Sequence, residues 1–233
     1  MLKTLSLVLL LAGSQINAVI DINGKGINKQ ALFFGACSKG NIDLVKILLN
    51  AGADVNAISN NYTALQLAVK GNHIDIAKLL IAAGADVNAI NGGYTTLGYA
   101  VAYNRIEAVK LLIVAGVDLN AISNGSTALR LAVQGNYIET VKLLIAAGAD
   151  TEITNAQGKT AFDVALEMLN LEIIEIFQNY YKEQEAKQLA QANAIGKSVV
   201  TIANSSDNSL NILQNTEVPA HSKAVITTEI SKI

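Results

Sequence analysis

The chain has 233 residues, of which 51% are hydrophobic but only 5% aromatic, with no Trp. Its formal charge is −2, which excludes a partner held by bulk electrostatics. A single cysteine, Cys37, rules out an internal disulfide, and with only His73 and His221 there is no metal-ligand cluster.

Met1-Leu2-Lys3 gives a positive start, Leu5 to Ala12 an apolar run, and Ser14 to Ala18 a polar stretch ending in a small residue. That order predicts a signal peptide over 1–18, cleaved after Ala18. The run is far short of the roughly 20 apolar residues a membrane anchor needs. Loss of Lys3, the only charged residue of the leader, would take the net charge to −3.

From there the chain is periodic. Gly52, Gly84, Gly116 and Gly148 each sit in Ala-Gly-(Ala/Val)-Asp, 32 residues apart. Lys46, Lys78, Lys110 and Lys142 keep the same spacing, as do Leu48, Leu80, Leu112 and Leu144. Each unit opens on a threonine, in Thr63-Ala64-Leu65-Gln66, Thr95-Thr96-Leu97-Gly98, Thr127-Ala128-Leu129-Arg130 and Thr160-Ala161-Phe162-Asp163. A fixed period of this kind predicts a stacked array, with function on a surface and not in a catalytic pocket.

Five helix pairs are expected. The first covers Ala31 to Ser38 and Ile42 to Asn50, follows the turn-rich Asn23-Gly24-Lys25-Gly26 and lacks the threonine, as an end unit should. Pairs two to four begin near Thr63, Thr95 and Thr127, each threonine capping its first helix. The fifth begins at Thr160, and its second helix runs from about Leu171 through Phe177, Tyr180 and Tyr181 into a polar stretch. Beyond Ala194, Val199-Val200-Thr201-Ile202 and Ala224 to Thr228 read as short strands, around a turn cluster at 204–209 and Pro219.

The threonine signature, the helix pair and the terminal Gly-Ala-Asp resemble the ankyrin repeat over residues 22 to 182. The resemblance implies an all-α solenoid of helix-turn-helix units joined by β-hairpin loops, with repeats near 22–54, 55–86, 87–118, 119–150 and 151–182. A helical extension over 183–195 and a β-rich tail over 196–233 complete the chain. Two departures stand out. The family's proline is replaced by Ala64, Thr96, Ala128 and Ala161, and the period is one short of the usual 33, the missing residue falling in the hairpins. The last unit, Gly148 to Thr160, regains it.

No constellation points to catalysis. Gly196-Lys197-Ser198 lacks the upstream glycine of a phosphate loop, where Gln191 stands instead. Cys37 aligns with Val69, Val101 and Val133, so it reads as a core residue. His73 shares a slot with Asn41, Arg105 and Tyr137 and reads as solvated. Each repeated lysine follows an acid by three residues (Asp43, Asp75, Glu107, Glu139), a neutralised outer face and not a phosphate-binding stripe. The chain is therefore expected to have no catalytic, cofactor or metal site.

The resemblance implies contacts on the concave face, at the hairpin tips and the exposed ends of the first helices. Those positions are Asn60, Asn61 and Tyr62; Asn91, Gly92 and Tyr94; Ser123, Asn124 and Ser126; then Lys70, Tyr103, Gln134 and Tyr137. The four tyrosines offer contact area at low entropic cost, or else cover neighbouring repeats. Ile58, Ile90 and Ile122 form a ladder at the hairpin bases, expected to pack between the shortened loops, with an exposed binding stripe as the alternative. Asn61-Tyr62-Thr63 and Asn124-Gly125-Ser126 fit the glycan acceptor pattern on that same edge, a conflict that favours a bacterial source. The expectation is a monomeric, exported, non-enzymatic protein that binds another protein, as a bacterial effector or periplasmic scaffold. The alternative is a dedicated subunit stabilising one partner enzyme.

Overall fold

The structure, a computed structural model, describes residues 18–20 and 26–205. It begins with an antiparallel pair, β1 (Ala18–Ile20) and β2 (Gly26–Asn28), with Val19 opposite Ile27. Helices α1 (Lys29–Lys39) and α2 (Ile42–Asn50) follow. The second repeat adds a hairpin, β3 (Ile58–Ser59) and β4 (Tyr62–Thr63), with helices α3 (Ala64–Lys70) and α4 (Ile74–Ala82). The third has β5 (Ile90–Asn91), β6 (Tyr94–Thr95), α5 (Thr96–Ala102) and α6 (Ile106–Val114). In the fourth the hairpin shrinks to one bridge, Ser123 with Ser126, ahead of α7 (Ala128–Gln134) and α8 (Ile138–Ala146). The fifth holds α9 (Ala161–Glu167) and the start of α10 (Leu171–Ser205). Inner helices α1, α3, α5, α7 and α9 pack in series, and outer helices α2, α4, α6 and α8 pack in a second layer. The predicted all-α solenoid is what the chain builds.

The inner helices of repeats two to five have 7 residues, too few to persist alone. Their starts are set by the threonines: the hydroxyls of Thr63, Thr95, Thr127 and Thr160 each accept the N–H three residues on. The caps do the work that the missing prolines would have shared. Outer helices end at the repeated glycine. At Gly116, φ is 77°, its N–H bonds Ile113 O, and Val117 N–H bonds Leu112 O, a Schellman closure. The turn between the two helices closes in the same way on left-handed Asn72, Asn104 and Asn136, and on Leu169 in the fifth repeat.

Between repeats the core is small and regular. Ala36, Ala68, Ala100, Ala132 and Ala165 are buried along the inner layer, and Leu48, Leu80, Leu112 and Leu144 along the outer. Cys37 belongs to this core, and burial pushes its thiol up to about 12. The loops are tied by asparagines: the Oδ1 atoms of Asn56, Asn88 and Asn120 accept the N–H of Asp86, Asp118 and Asp150 at 2.8, 2.8 and 2.9 Å. Each asparagine is itself held by an Asx turn to the aspartate two residues before it.

The period follows from turn length. Asn60-Asn61, Gly92-Gly93 and Asn124-Gly125 all have φ > 0 at both residues, the two-residue type I′ geometry. In the fifth unit Asn155 N–H bonds Lys159 O across three residues, with Gly158 at φ 74°. That extra residue changes a two-residue turn into a three-residue one, which is where the spacing lengthens.

Some expectations change. α10 continues through Val199–Ile202, so the first predicted tail strand is helix; Ala224 to Thr228 lies outside the described residues. The Asp75–Lys78 and Glu107–Lys110 pairs form at 3.4 and 3.1 Å, but Lys142 pairs with Glu172 at 3.7 Å and not with Glu139. The chain divides at Glu175, and its second unit contains the rest of α10, with Phe177, Tyr180 and Tyr181 in ring contact.

Arg130 occupies the slot of Gln66 and Asp163. Only 1% exposed, it makes one 3.5 Å bond, from Nη2 to Ile153 O, while Nε and Nη1 have no partner. Burial lowers its pKa.

Two substitutions of opposite sign test the left-handed positions. A Cβ at Gly116 meets nothing within 4 Å, so Gly116→Ala should cost only conformational strain, about 1 kcal/mol. Leu169 has φ 54° and is 78% exposed, so Leu169→Asn should stabilise by up to about 1 kcal/mol. Urea midpoints of the two variants check both signs.

Acid tests the last cap. Asp163 accepts the Thr160 N–H at 2.8 Å and the Thr160 hydroxyl at 2.9 Å, and these bonds hold its carboxyl below the ordinary 3.8. A depressed folded pKa stabilises above the unfolded value and is lost as pH falls through the folded one. The stability gap between wild type and Asp163→Asn should therefore narrow as urea midpoints are followed from about pH 5 to about pH 2.

Candidate functional site

Tyr99 lies on α5 in the slot that Leu67 holds on α3 and Leu131 on α7. A ring there is longer than a leucine and reaches both flanking hairpins. Its centroid is 5.4 Å from that of Tyr62 at the end of one hairpin and 5.0 Å from that of Tyr94 at the end of the next. Tyr103, four residues along and capping α5, stacks at 6.4 Å. Offset rings at these separations attract beyond the area they bury. Tyr99 is 6% exposed and Tyr103 43%, with Tyr62 and Tyr94 between, so one buried ring supports three that reach solvent.

Lys70, at the C-terminal end of α3, joins the group from the neighbouring repeat. Its Nζ donates to the Tyr62 hydroxyl at 3.1 Å and lies 4.7 Å from the Tyr62 and 5.6 Å from the Tyr103 ring centroid. The bond to Tyr62 raises the Lys70 pKa, and the same bond, with a smaller contribution from Tyr99, lowers that of Tyr62. Burial, then Tyr62, pushes Tyr99 up.

Four of the sequence-predicted residues, Tyr62, Lys70, Tyr94 and Tyr103, come together here. Asn60, Asn61, Asn91, Gly92 and Asn124 form the neighbouring hairpin tips, and Gln134 is exposed at the end of α7. Ser123 does not serve as a contact residue: it is buried against Gly98, its Oγ accepting the Thr95 N–H at 3.2 Å, and a Cβ on Gly98 would fall 1.9 Å from it. Ser126 is its bridge partner.

Tyr137 stands apart. It occupies the helix-to-helix turn, its ring over Gly135, where a Cβ would meet it at 2.3 Å. His73 fills the same slot one unit away from Arg105 and is not simply solvated: its Nε2 lies 3.1 Å from Ser38 O, as Arg105 Nη2 lies 3.3 Å from Lys70 O. At His73 and Arg105 this slot ties a turn to the end of the inner helix one repeat before. Ile58, Ile90 and Ile122, expected to pack between hairpins, are exposed. The shortened hairpins present the isoleucines outward.

A family model described as ankyrin repeats (3 copies) matches residues 3–91 and 97–188, and another, ankyrin repeats (many copies), matches 71–113. The chain belongs to the ankyrin repeat family. A comparison with curated proteins found no match. Ankyrin repeats are protein-interaction modules, generally without catalysis, and this ankyrin array carries its densest group of half-exposed aromatics on repeats two and three. Among the described residues no cluster of His, Cys, Asp and Glu suits a metal ion, and no helix is long and apolar enough to cross a membrane.

The cluster divides into support and display. Tyr99→Ala should cost about 3 kcal/mol or more, as truncation of a buried aromatic does. Tyr103→Ala should stay within about 0.5 kcal/mol, as at an exposed site. Denaturant unfolding followed by far-UV circular dichroism separates the two.

Proposed function

We propose that this ankyrin protein is an exported, non-enzymatic binder that anchors a protein partner on Tyr62, Tyr94 and Tyr103. The observation that carries the reading is the stacked group itself. Three rings that reach solvent are fixed in place by a fourth that does not, so little side-chain entropy is lost when a partner covers them. Export rests on the leader-like order of residues 1–18 and places the protein in a periplasm or outside the cell that makes it, as a scaffold or an effector.

Changing Tyr62, Tyr94 and Tyr103 together to Ser tests the surface. A single anchor of this type contributes about 2 kcal/mol, roughly thirtyfold in affinity, so the triple variant should lose the partner recovered stoichiometrically from the native compartment. Its helicity and melting should stay near wild type. Retention of the partner by a folded triple variant would move the interface elsewhere, and a chain lacking residues 196–233 then reports whether the tail holds it. N-terminal sequencing of protein made in a secreting cell should start near Val19, and an intact Met1 would overturn export.

A further inference from the structure

The concave surface around the platform is almost without charge. On the inner helices α3, α5 with its cap Tyr103, and α7, the side chains that are not buried are Leu67, Lys70, Ala102, Tyr103, Leu131 and Gln134. Lys70 is the sole charged one among them. The hairpin tips add only Asn, Gly and Ser around Tyr62 and Tyr94. Carboxylates Asp75, Glu107 and Glu139 are on the outer helices, the first two paired with Lys78 and Lys110, while the loop aspartates Asp54, Asp86 and Asp118 each accept the N–H of the asparagine two residues on.

Lys70 is also held in place. An ammonium carries three N–H donors, and the one directed at Tyr62 leaves two to donate to a ligand. Two ring faces fix its position beforehand, so a ligand does not have to order a free lysine stem. A carboxylate arriving here meets the ordered Lys70 ammonium, with the Arg105 guanidinium behind it at 3.3 Å from the Lys70 carbonyl, and no acid on the surrounding inner helices or hairpin tips. A basic segment would meet that same cation and nothing to pair with.

Resting on the reading of the tyrosines as a protein-binding surface, we propose that the ligand is an acidic linear peptide segment. Lys70 takes its carboxylate, and the adjoining large side chain lies on Tyr62 and Tyr103. The ammonium then sits between phenol and carboxylate, a charge-assisted bond on an otherwise neutral surface.

A display library of random linear peptides, selected against the full chain, tests this. Peptides enriched on wild type should carry Asp or Glu beside an aromatic or large aliphatic residue. In titrations with one such synthetic peptide, replacing its acid by the amide should weaken binding about tenfold or more. Lys70→Met should bring the acidic peptide down to the amide peptide's affinity and leave the amide peptide unchanged, and Lys70→Gln should do the same if Met disturbs the melting curve. Tyr103→Ser should weaken both peptides alike.

Enrichment of neutral or basic peptides, equal binding of acid and amide, or no enrichment at all overturns the acidic ligand. If selected peptides ignore Lys70 but still depend on Tyr103, the tyrosine surface stands and only the acidic ligand falls. Peptides indifferent to both residues overturn both readings.

Discussion

The array depends on one bond repeated along its loops. An asparagine side chain in the loop that opens a repeat accepts the backbone N–H of the aspartate in the loop that closes it, at Asn56, Asn88 and Asn120. Helix pairs of 7 and 9 residues have little stability of their own, so each repeat is ordered by its neighbours. Stacked alanines and leucines supply the burial, but burial is non-directional. The asparagine bond is directional, and it sets where each loop stands relative to the next. Asn56 and Asp86 lie in the loops that lead to the hairpins of Tyr62 and Tyr94, whose rings both pack on Tyr99. In the fifth repeat Glu152 replaces the asparagine and the series stops.

The same tyrosines serve packing and display. Tyr99 is buried cover between repeats, and Tyr103 is exposed. Tyr62 and Tyr94 do both, each resting one face on Tyr99 and leaving the rest half-exposed. A surface made in this way is rigid because its supports belong to the fold, so changes at its edge can alter binding without unfolding the chain.

Much of this was legible in the period. Threonine caps and glycine stops recur in phase, and the structure has them in those roles, as it has the outer-face lysines Lys78 and Lys110. Tyr99 was not legible, because its slot holds leucine in the flanking repeats and apolar periodicity counts it as core. Tyr137 could have been placed: it shares its slot with Asn41, His73 and Arg105, and Asn41 caps a helix there. The isoleucine ladder depended on how a two-residue turn orients its strands, which composition does not show. At Val199–Ile202, β-branched side chains favour strand, yet these four residues continue a helix already established over the preceding turns.

Arg130 gives the array a point of mechanical weakness. Elsewhere a repeat that separates from its neighbour gives up burial and frees at most single unpartnered polar atoms, such as Arg105 Nε, Thr96 Oγ1 and Thr140 Oγ1. At α7 separation also exposes two buried guanidinium nitrogens that have no protein partner, and a buried cation without a carboxylate is costly to hold. Under heat or force, the fourth repeat is where this solenoid would part first, dividing the chain into an N-terminal piece that keeps the tyrosines and a C-terminal piece that does not.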